Sequence, residues 1–203
     1  MKSKIILNDV SKKYNNQWVL KNINHEFTGG YSYAFVGHNG CGKSTLIRIL
    51  SKIITPTQGK VVYNKKLSFS YVPDKLRPIK LSARSYLKSM GEIQQIPIRK
   101  LENRIETLSK EFYIDEMLDV PMGGLSKGTL QKILVIQALL QDTDVVLLDE
   151  PLSGQDQESQ KVFVKKINEL RMKGATVFMS CHEKWLTEAI SDEIYTFQNK
   201  KIV

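Results

Sequence analysis

Gly37-His38-Asn39-Gly40-Cys41-Gly42-Lys43-Ser44-Thr45 is the stretch that decides the fold. It satisfies G-x-x-x-x-G-K-[ST], and it stands between a strand pattern at residues 31–36 and a helical pattern at residues 44–50. A strand that hands over to a helix through such a loop aims the free N–H groups of the helix N-terminus at phosphate. Gly37, Gly40 and Gly42 let the backbone wrap closely around a triphosphate; Lys43 would reach its β- and γ-phosphates, and the Ser44 hydroxyl would complete a Mg²⁺ shell. A glycine-rich turn without a ligand is the alternative, and the order strand, loop, helix argues against it.

A second group of chemical residues lies downstream. Val145-Val-Leu-Leu-Asp149-Glu150-Pro151 ends an apolar strand on two carboxylates, which is costly unless they bind something. Asp149 fits a Mg²⁺-holding acid. Glu150 is placed to polarise a water for attack on the γ-phosphate, so the chemistry is hydrolysis rather than transfer to an acceptor. His182 follows the next apolar strand, residues 175–179, and could reach the same site from that strand's carboxyl end; alone it would be an ordinary helix-start histidine. His25, within a strand, and His38, at a variable loop position, carry no such argument.

Around these motifs the chain divides by periodicity. Residues 4–10 and 18–27 alternate as strands before the phosphate loop, with a turn at Thr28-Gly29-Gly30. Further short strands are expected at 60–63 and 67–72, the latter stopped by Pro73. Helices are expected over 82–90 and 98–112, where Leu101, Ile105, Leu108 and Phe112 share one face. A helix over 156–172 between the strands at 145–148 and 175–179 gives the β-α-β rhythm of a parallel sheet. The reading is one α/β domain over residues 1–203, with a core formed by 1–74 and 126–203 and a helical lobe over 75–125.

Composition narrows the class. With 203 residues and 41% hydrophobic content the chain can bury a core. No apolar run approaches the roughly 20 residues of a membrane span, and residues 1–7 run into polar Asn8-Asp9 rather than a signal-peptide core, so a cytosolic chain is expected. The net charge of +9 comes from basic residues mostly interleaved with acids, which reads as a solvated surface with some attraction to an anionic membrane leaflet and no nucleic-acid partner. Two cysteines, Cys41 and Cys181, do not make a disulfide framework.

The order of motifs resembles the ATP-binding subunit of an ABC transporter, over essentially the whole chain. Tyr14 looks like the aromatic that stacks on adenine, Leu125-Ser126-Lys127-Gly128-Thr129 like the family signature, Ser153-Gly154-Gln155-Asp156 like the loop that communicates between subunits, and His182 like the switch histidine. Ser126 also reads independently as the N-cap of an amphipathic helix containing Leu130, Ile133, Leu134 and Ala138. The resemblance implies an α/β P-loop NTPase fold of ABC type, with a mixed sheet, antiparallel N-terminal strands and an inserted helical lobe. It implies ATP and Mg²⁺ as ligands, with Tyr14, Gly37, Asn39, Gly40, Cys41, Gly42, Lys43, Ser44 and Thr45 binding nucleotide. Lys43, Glu150 and His182 are then catalytic, and Ser44, Asp149 and Asp74 hold metal. It further implies that Ser126, Lys127 and Gly128 face the ATP of a second ABC ATPase subunit, in a homo- or heterodimer coupled to multi-span membrane permease subunits on the inner face of the cell membrane.

Four positions depart from the family. Asp74 stands where a Gln usually touches Mg²⁺ and the attacking water; Lys127 and Thr129 replace Gly and Gln of the commonest signature; Gln155 replaces a Leu. Asp74 is expected to remain a metal or water ligand. The retained Ser126 and Gly128 make the signature similar to that of bacterial exporter ATPases, so export is the expected direction. The competing readings are a weakened nucleotide-binding partner in a heterodimer and a non-transport regulatory ABC ATPase.

Overall fold

The computed structural model describes residues 2–76 and 79–203. Met1 and residues 77 and 78, the latter two within the expected helical lobe, lie outside the described residues. Two compact units emerge. The first comprises residues 1–71, 143–150 and 167–203, and the second comprises residues 72–142 and 151–166.

The first unit contains a three-stranded antiparallel sheet of β1 (Lys4–Tyr14), β2 (Gln17–Thr28) and β4 (Gln58–Tyr63), in the order β2-β1-β4. The β1–β2 hairpin closes through Asn15 and Asn16, both at positive φ, a geometry that matches the right-handed twist of the flanking strands. The hairpin therefore runs further than the alternation at 4–10 indicated. The main sheet has the order β5-β6-β7-β3-β8-β9. Its strands are β3 (Ser32–Val36), β5 (Phe69–Val72), β6 (Val145–Asp149), β7 (Thr176–Ser180), β8 (Glu193–Gln198) and β9 (Lys201–Ile202). The strands β6, β7, β3 and β8 run parallel, and β9 returns antiparallel to β8.

Every residue of β6 and β7 is buried, as expected of central parallel strands covered on both faces. Helix α1 (Lys43–Leu50) buries Leu46, Ile47, Ile49 and Leu50 in a core that includes Phe27, Tyr33, Phe35 and Phe178. Phe27 lies edge-on to Phe178, with ring centroids 4.9 Å apart, in the T-shaped geometry the ring quadrupoles favour.

The second unit holds α2 (Ala83–Ile93), α3 (Ile98–Glu111) and α4 (Lys127–Leu139). Ser82 caps α2 by accepting from the Ser85 N–H, and Ser126 caps α4 by accepting from the Thr129 N–H. Helix α4 differs from the amphipathic helix expected after Ser126. Residues 131–136 are all buried, Gln131 and Lys132 included, so the helix has little solvent face there. Its polar residues are instead absorbed by partners: Gln131 donates to the Pro73 carbonyl, and Lys132 pairs with Asp156 at 2.6 Å. Residues 126–142 and 151–166 thus cluster with the helical unit, which extends beyond 75–125. Helix α5 (Gln157–Met172) carries the chain from this unit back into the first, and α6 (Lys184–Ile190) follows β7.

Candidate functional site

The loop between β3 and α1 is shaped by glycine. Gly37, Gly40 and Gly42 have φ of 147°, 79° and 121°, a region that side chains rarely enter, and a Cβ on Gly42 would lie 2.6 Å from a Leu20 methyl. Gly42 precedes α1 without a side-chain cap, so the N–H groups of the first turn face an incoming anion. Lys43 is 5% exposed, and its ammonium donates to the carbonyls of Gly37 at 2.8 Å and His38 at 3.3 Å. Cys41 is half-buried in the same loop, its sulfur 2.9 Å from where a Gly37 Cβ would stand.

Asp149 sits at the end of β6 with no exposed surface. Its Oδ1 accepts from the Ser44 hydroxyl and from the Ser180 hydroxyl, each at 2.7 Å. Its Oδ2 is buried without a hydrogen bond; the nearest cation, an Arg48 guanidinium nitrogen, stands at 3.8 Å. A fully buried carboxylate oxygen without a hydrogen bond, met only by a distant guanidinium, is expensive. An oxygen donor set of one hydroxyl and one carboxylate, with a lone pair to spare, suits Mg²⁺, which is typically held by one or two carboxylates plus substrate phosphates.

Ser180 was not singled out by sequence reasoning. Its signal is the register itself, because parallel pairing sets Asp149 opposite Ser180. One hydroxyl donates to Asp149 and also accepts from the Glu150 N–H at 3.0 Å, so it positions both acids. Glu150 needs such support: its φ of 50° is left-handed backbone, which a non-glycine residue adopts at a cost of about 1 kcal/mol or more.

His182 lies just beyond β7, with Nε2 3.1 Å from a Glu150 carboxylate oxygen and 3.2 Å from the Lys43 ammonium. One ring nitrogen cannot serve both neighbours in the same protonation state. Donating to Glu150 needs a proton on Nε2, whereas accepting from Lys43 needs its lone pair. The structure therefore brings Lys43, Ser44, Asp149, Glu150 and His182 together in the first unit. Tyr14 is in the same unit, at the end of β1, 44% exposed as a residue and with the Lys12 ammonium 5.3 Å from its ring centroid.

Asp74, Ser126, Lys127 and Gly128 belong to the second unit. There, Lys127 donates to the Ser153 hydroxyl at 2.5 Å, and a Cβ on Gly128 would lie 2.1 Å from the Gly154 carbonyl oxygen. Gln155 is 8% exposed and donates to the Pro151 carbonyl, while its own side-chain oxygen is buried without a partner. Asp74 lines a groove of about 470 Å³ with Lys75, Leu76, Lys127, Leu130, Gln131 and Leu134.

A family model described as ABC transporter matches residues 20–153. The chain belongs to the ABC transporter family. Among curated ABC relatives, the zinc import ATP-binding protein ZnuC of Yersinia enterocolitica is 32% identical over 198 residues, covering 96% of this chain and 76% of the relative. The ABC transporter ATP-binding protein NatA of Bacillus subtilis is 24% identical over 215 residues, covering 98% and 87% respectively. A solved structure titled as the ATP binding subunit of an ABC transporter superposes with a TM-score of 0.89 at 25% identity, covering 98% of this chain and 87% of that one. The fold is thus the α/β ABC ATPase fold, and the chain is the ATP-binding, ATP-hydrolysing subunit of an ABC transporter. Among the described residues no helix is long and apolar enough to cross a membrane. The expectation of export finds no support, because several relatives are named for zinc import.

Proposed function

We propose that this chain drives transport by clamping ATP between two ABC ATPase subunits arranged head to tail, hydrolysing it, and passing the motion to separate multi-span membrane subunits. The observation that carries the reading is the convergence of Lys43, Ser44, Asp149, Glu150 and His182 at the ends of β3, β6 and β7. Tyr14 would stack on adenine, while the loop N–H groups and Lys43 would hold the phosphates. Ser44 and Asp149 would hold Mg²⁺, which supplies charge neutralisation across the phosphates when bound. Glu150 would orient water and take its proton, and His182, within hydrogen-bond reach of Glu150, would fix that carboxylate. Asp74, in place of the usual Gln, would add a metal or water ligand.

In a head-to-tail pair, Ser126, Lys127 and Gly128 of each subunit would close over the nucleotide held by the other. The membrane subunits would dock on the helical lobe, where Leu81, Ile93, Ile98 and Tyr113 are exposed. Such docking would hold the chain in the cytoplasm, peripheral to the inner face of the membrane. The relatives named for import favour uptake as the direction.

Light scattering of Glu150→Gln with and without Mg-ATP tests the reading, with Lys43→Ala as a control that should not bind. An ATP-dependent dimer for the first and a monomer for the second is expected. A monomer throughout would move the heterodimer reading to the front.

A further inference from the structure

Strand β4 is at one edge of its sheet, with β1 on its other side. The pairing shows which backbone groups are spent. Asn64 N–H donates to the Lys4 carbonyl, and the register continues as Tyr63 opposite Ile5, Val62 opposite Ile6, Val61 opposite Leu7 and Lys60 opposite Asn8. Antiparallel ladders alternate, so Val62 and Lys60 turn their N–H and C=O groups to β1 while Tyr63 and Val61 turn theirs outward. The inward face of the same two residues borders a cavity of about 480 Å³, lined also by Ile49, Ile54, Pro56 and Lys52. Tyr63 is fixed there by donating its hydroxyl to the Leu50 carbonyl at 2.8 Å.

The charge at this edge is one-sided. From residue 27 to residue 73 the sequence contains no Asp or Glu, and Lys52 and Lys60 line the cavity while Lys65 and Lys66 follow the strand. Lys52 sits over the Tyr63 and Phe69 rings, at 4.2 Å and 4.7 Å from their centroids, where the charge is presented at the rim of the cavity. Two acids of neighbouring segments are held by neutral donors, which orient them without cancelling their charge. Asp9 accepts from Asn24, and Asp144 accepts from Ser68.

We propose that the β4 edge and its cavity bind an extended acidic peptide segment of a partner protein, which adds to the sheet as a fourth strand. The period of two in a strand sets the pattern that would fit. Apolar side chains would enter the cavity beside Val61 and Tyr63, and carboxylates would meet Lys60 along the strand and Lys52 at the cavity rim, while the backbone completes the unused ladder. A second copy of this chain is disfavoured as the occupant, because pairing β4 with itself brings Lys60 toward another lysine-rich edge; lysine on an edge is a common device against self-pairing.

Fluorescence anisotropy on the full chain would use a labelled synthetic peptide that alternates valine with glutamate, a second with lysine for glutamate, and a third with proline replacing the valines. The acidic peptide is expected to bind, with at least about tenfold loss for the lysine peptide and for the proline peptide. Lys52→Gln/Lys60→Gln should weaken the acidic peptide by a similar factor while basal ATP hydrolysis is unchanged, and Lys52→Glu/Lys60→Glu should weaken it further. Equal binding of the proline peptide would remove the strand-addition proposal. So would absence of acidic-peptide binding, or lysine-dependent binding of phosphatidylglycerol vesicles in its place.

Discussion

Around Asp149 the chemistry is held by side chains at the ends of parallel strands, whereas around Gly128 the side chain has been removed and backbone meets backbone. At the first place Ser44 and Ser180 both donate to one carboxylate oxygen, and Lys43, Glu150 and His182 meet within hydrogen-bond distance. At the second, Gly128 lies against the Gly154 carbonyl, and the adjacent Lys127 is held on Ser153. The difference teaches how each region tolerates change. A side chain in a network can be removed singly, with the loss spreading to the partners it shares, while a backbone contact has no adjustable part and fails as a unit.

The largest expected effect probes the side-chain network through its cysteines. Cys181 is buried, and burial pushes its thiol up to about 11, so little thiolate is present at neutral pH. Cys41 is half-buried on the phosphate loop. Iodoacetamide at about pH 8 should therefore modify Cys41 and spare Cys181, abolish nucleotide binding, and be slowed by ATP. Mass spectrometry with a binding assay checks this; full binding by the Cys41 adduct would show that the loop does not approach nucleotide closely.

The backbone contact should be the next most sensitive. Gly128→Ala places a methyl where only 2.1 Å separates it from a backbone oxygen, and overpacking of this kind costs about 1–3 kcal/mol. A lower Tm and a lost ATP-dependent dimer are expected together. Unchanged stability would mean that the two segments separate freely. A smaller effect is expected from Ser180→Ala, which removes one of two hydrogen bonds to a buried carboxylate and an acceptor for the Glu150 N–H. The expected loss is about 1–2 kcal/mol in denaturant unfolding, with Mg-ATP hydrolysis falling more than Mg-ATP affinity. A loss of affinity alone would place Ser180 with the metal rather than with Glu150.

The asymmetry between the two regions also explains what could be read without coordinates. The phosphate loop was legible because glycine spacing and the helix that follows are local, and Asp149 and Glu150 because carboxylates ending an apolar strand are anomalous. Ser180 was hidden, since its importance comes from the pairing of β6 with β7 across residues far apart in sequence. Helix α4 was misjudged as amphipathic for a related reason. Its cap at Ser126 is a local signal, but the burial of Gln131 and Lys132 depends on Pro73 and Asp156, which sequence periodicity does not see. The β1–β2 hairpin was longer than its alternation suggested because bulges interrupt the period between Leu7 and Lys13.

The smallest expected effect separates charge from geometry within the second unit. Asp156 accepts from the Ser159 N–H at 2.9 Å and from its hydroxyl at 3.0 Å, and it pairs with the buried Lys132 ammonium. Lys132 foremost, then the Ser159 hydrogen bonds, hold its carboxyl well below the usual carboxylate range. A lowered folded-state value means that the stabilisation is fully present above the ordinary carboxylate pKa of about 4 and is lost as pH falls through that range toward the folded value. Asp156→Asn can still accept from Ser159 but leaves Lys132 without its counter-charge. The variant should therefore melt below the parent at neutral pH. The gap should narrow in acid, where the parent's carboxylate is itself being neutralised, and the partial exposure of Asp156 keeps the whole effect modest. A gap that stays constant from neutral to acid pH would assign the loss to packing and leave the ion pair with no measurable part in joining α4 to the start of α5.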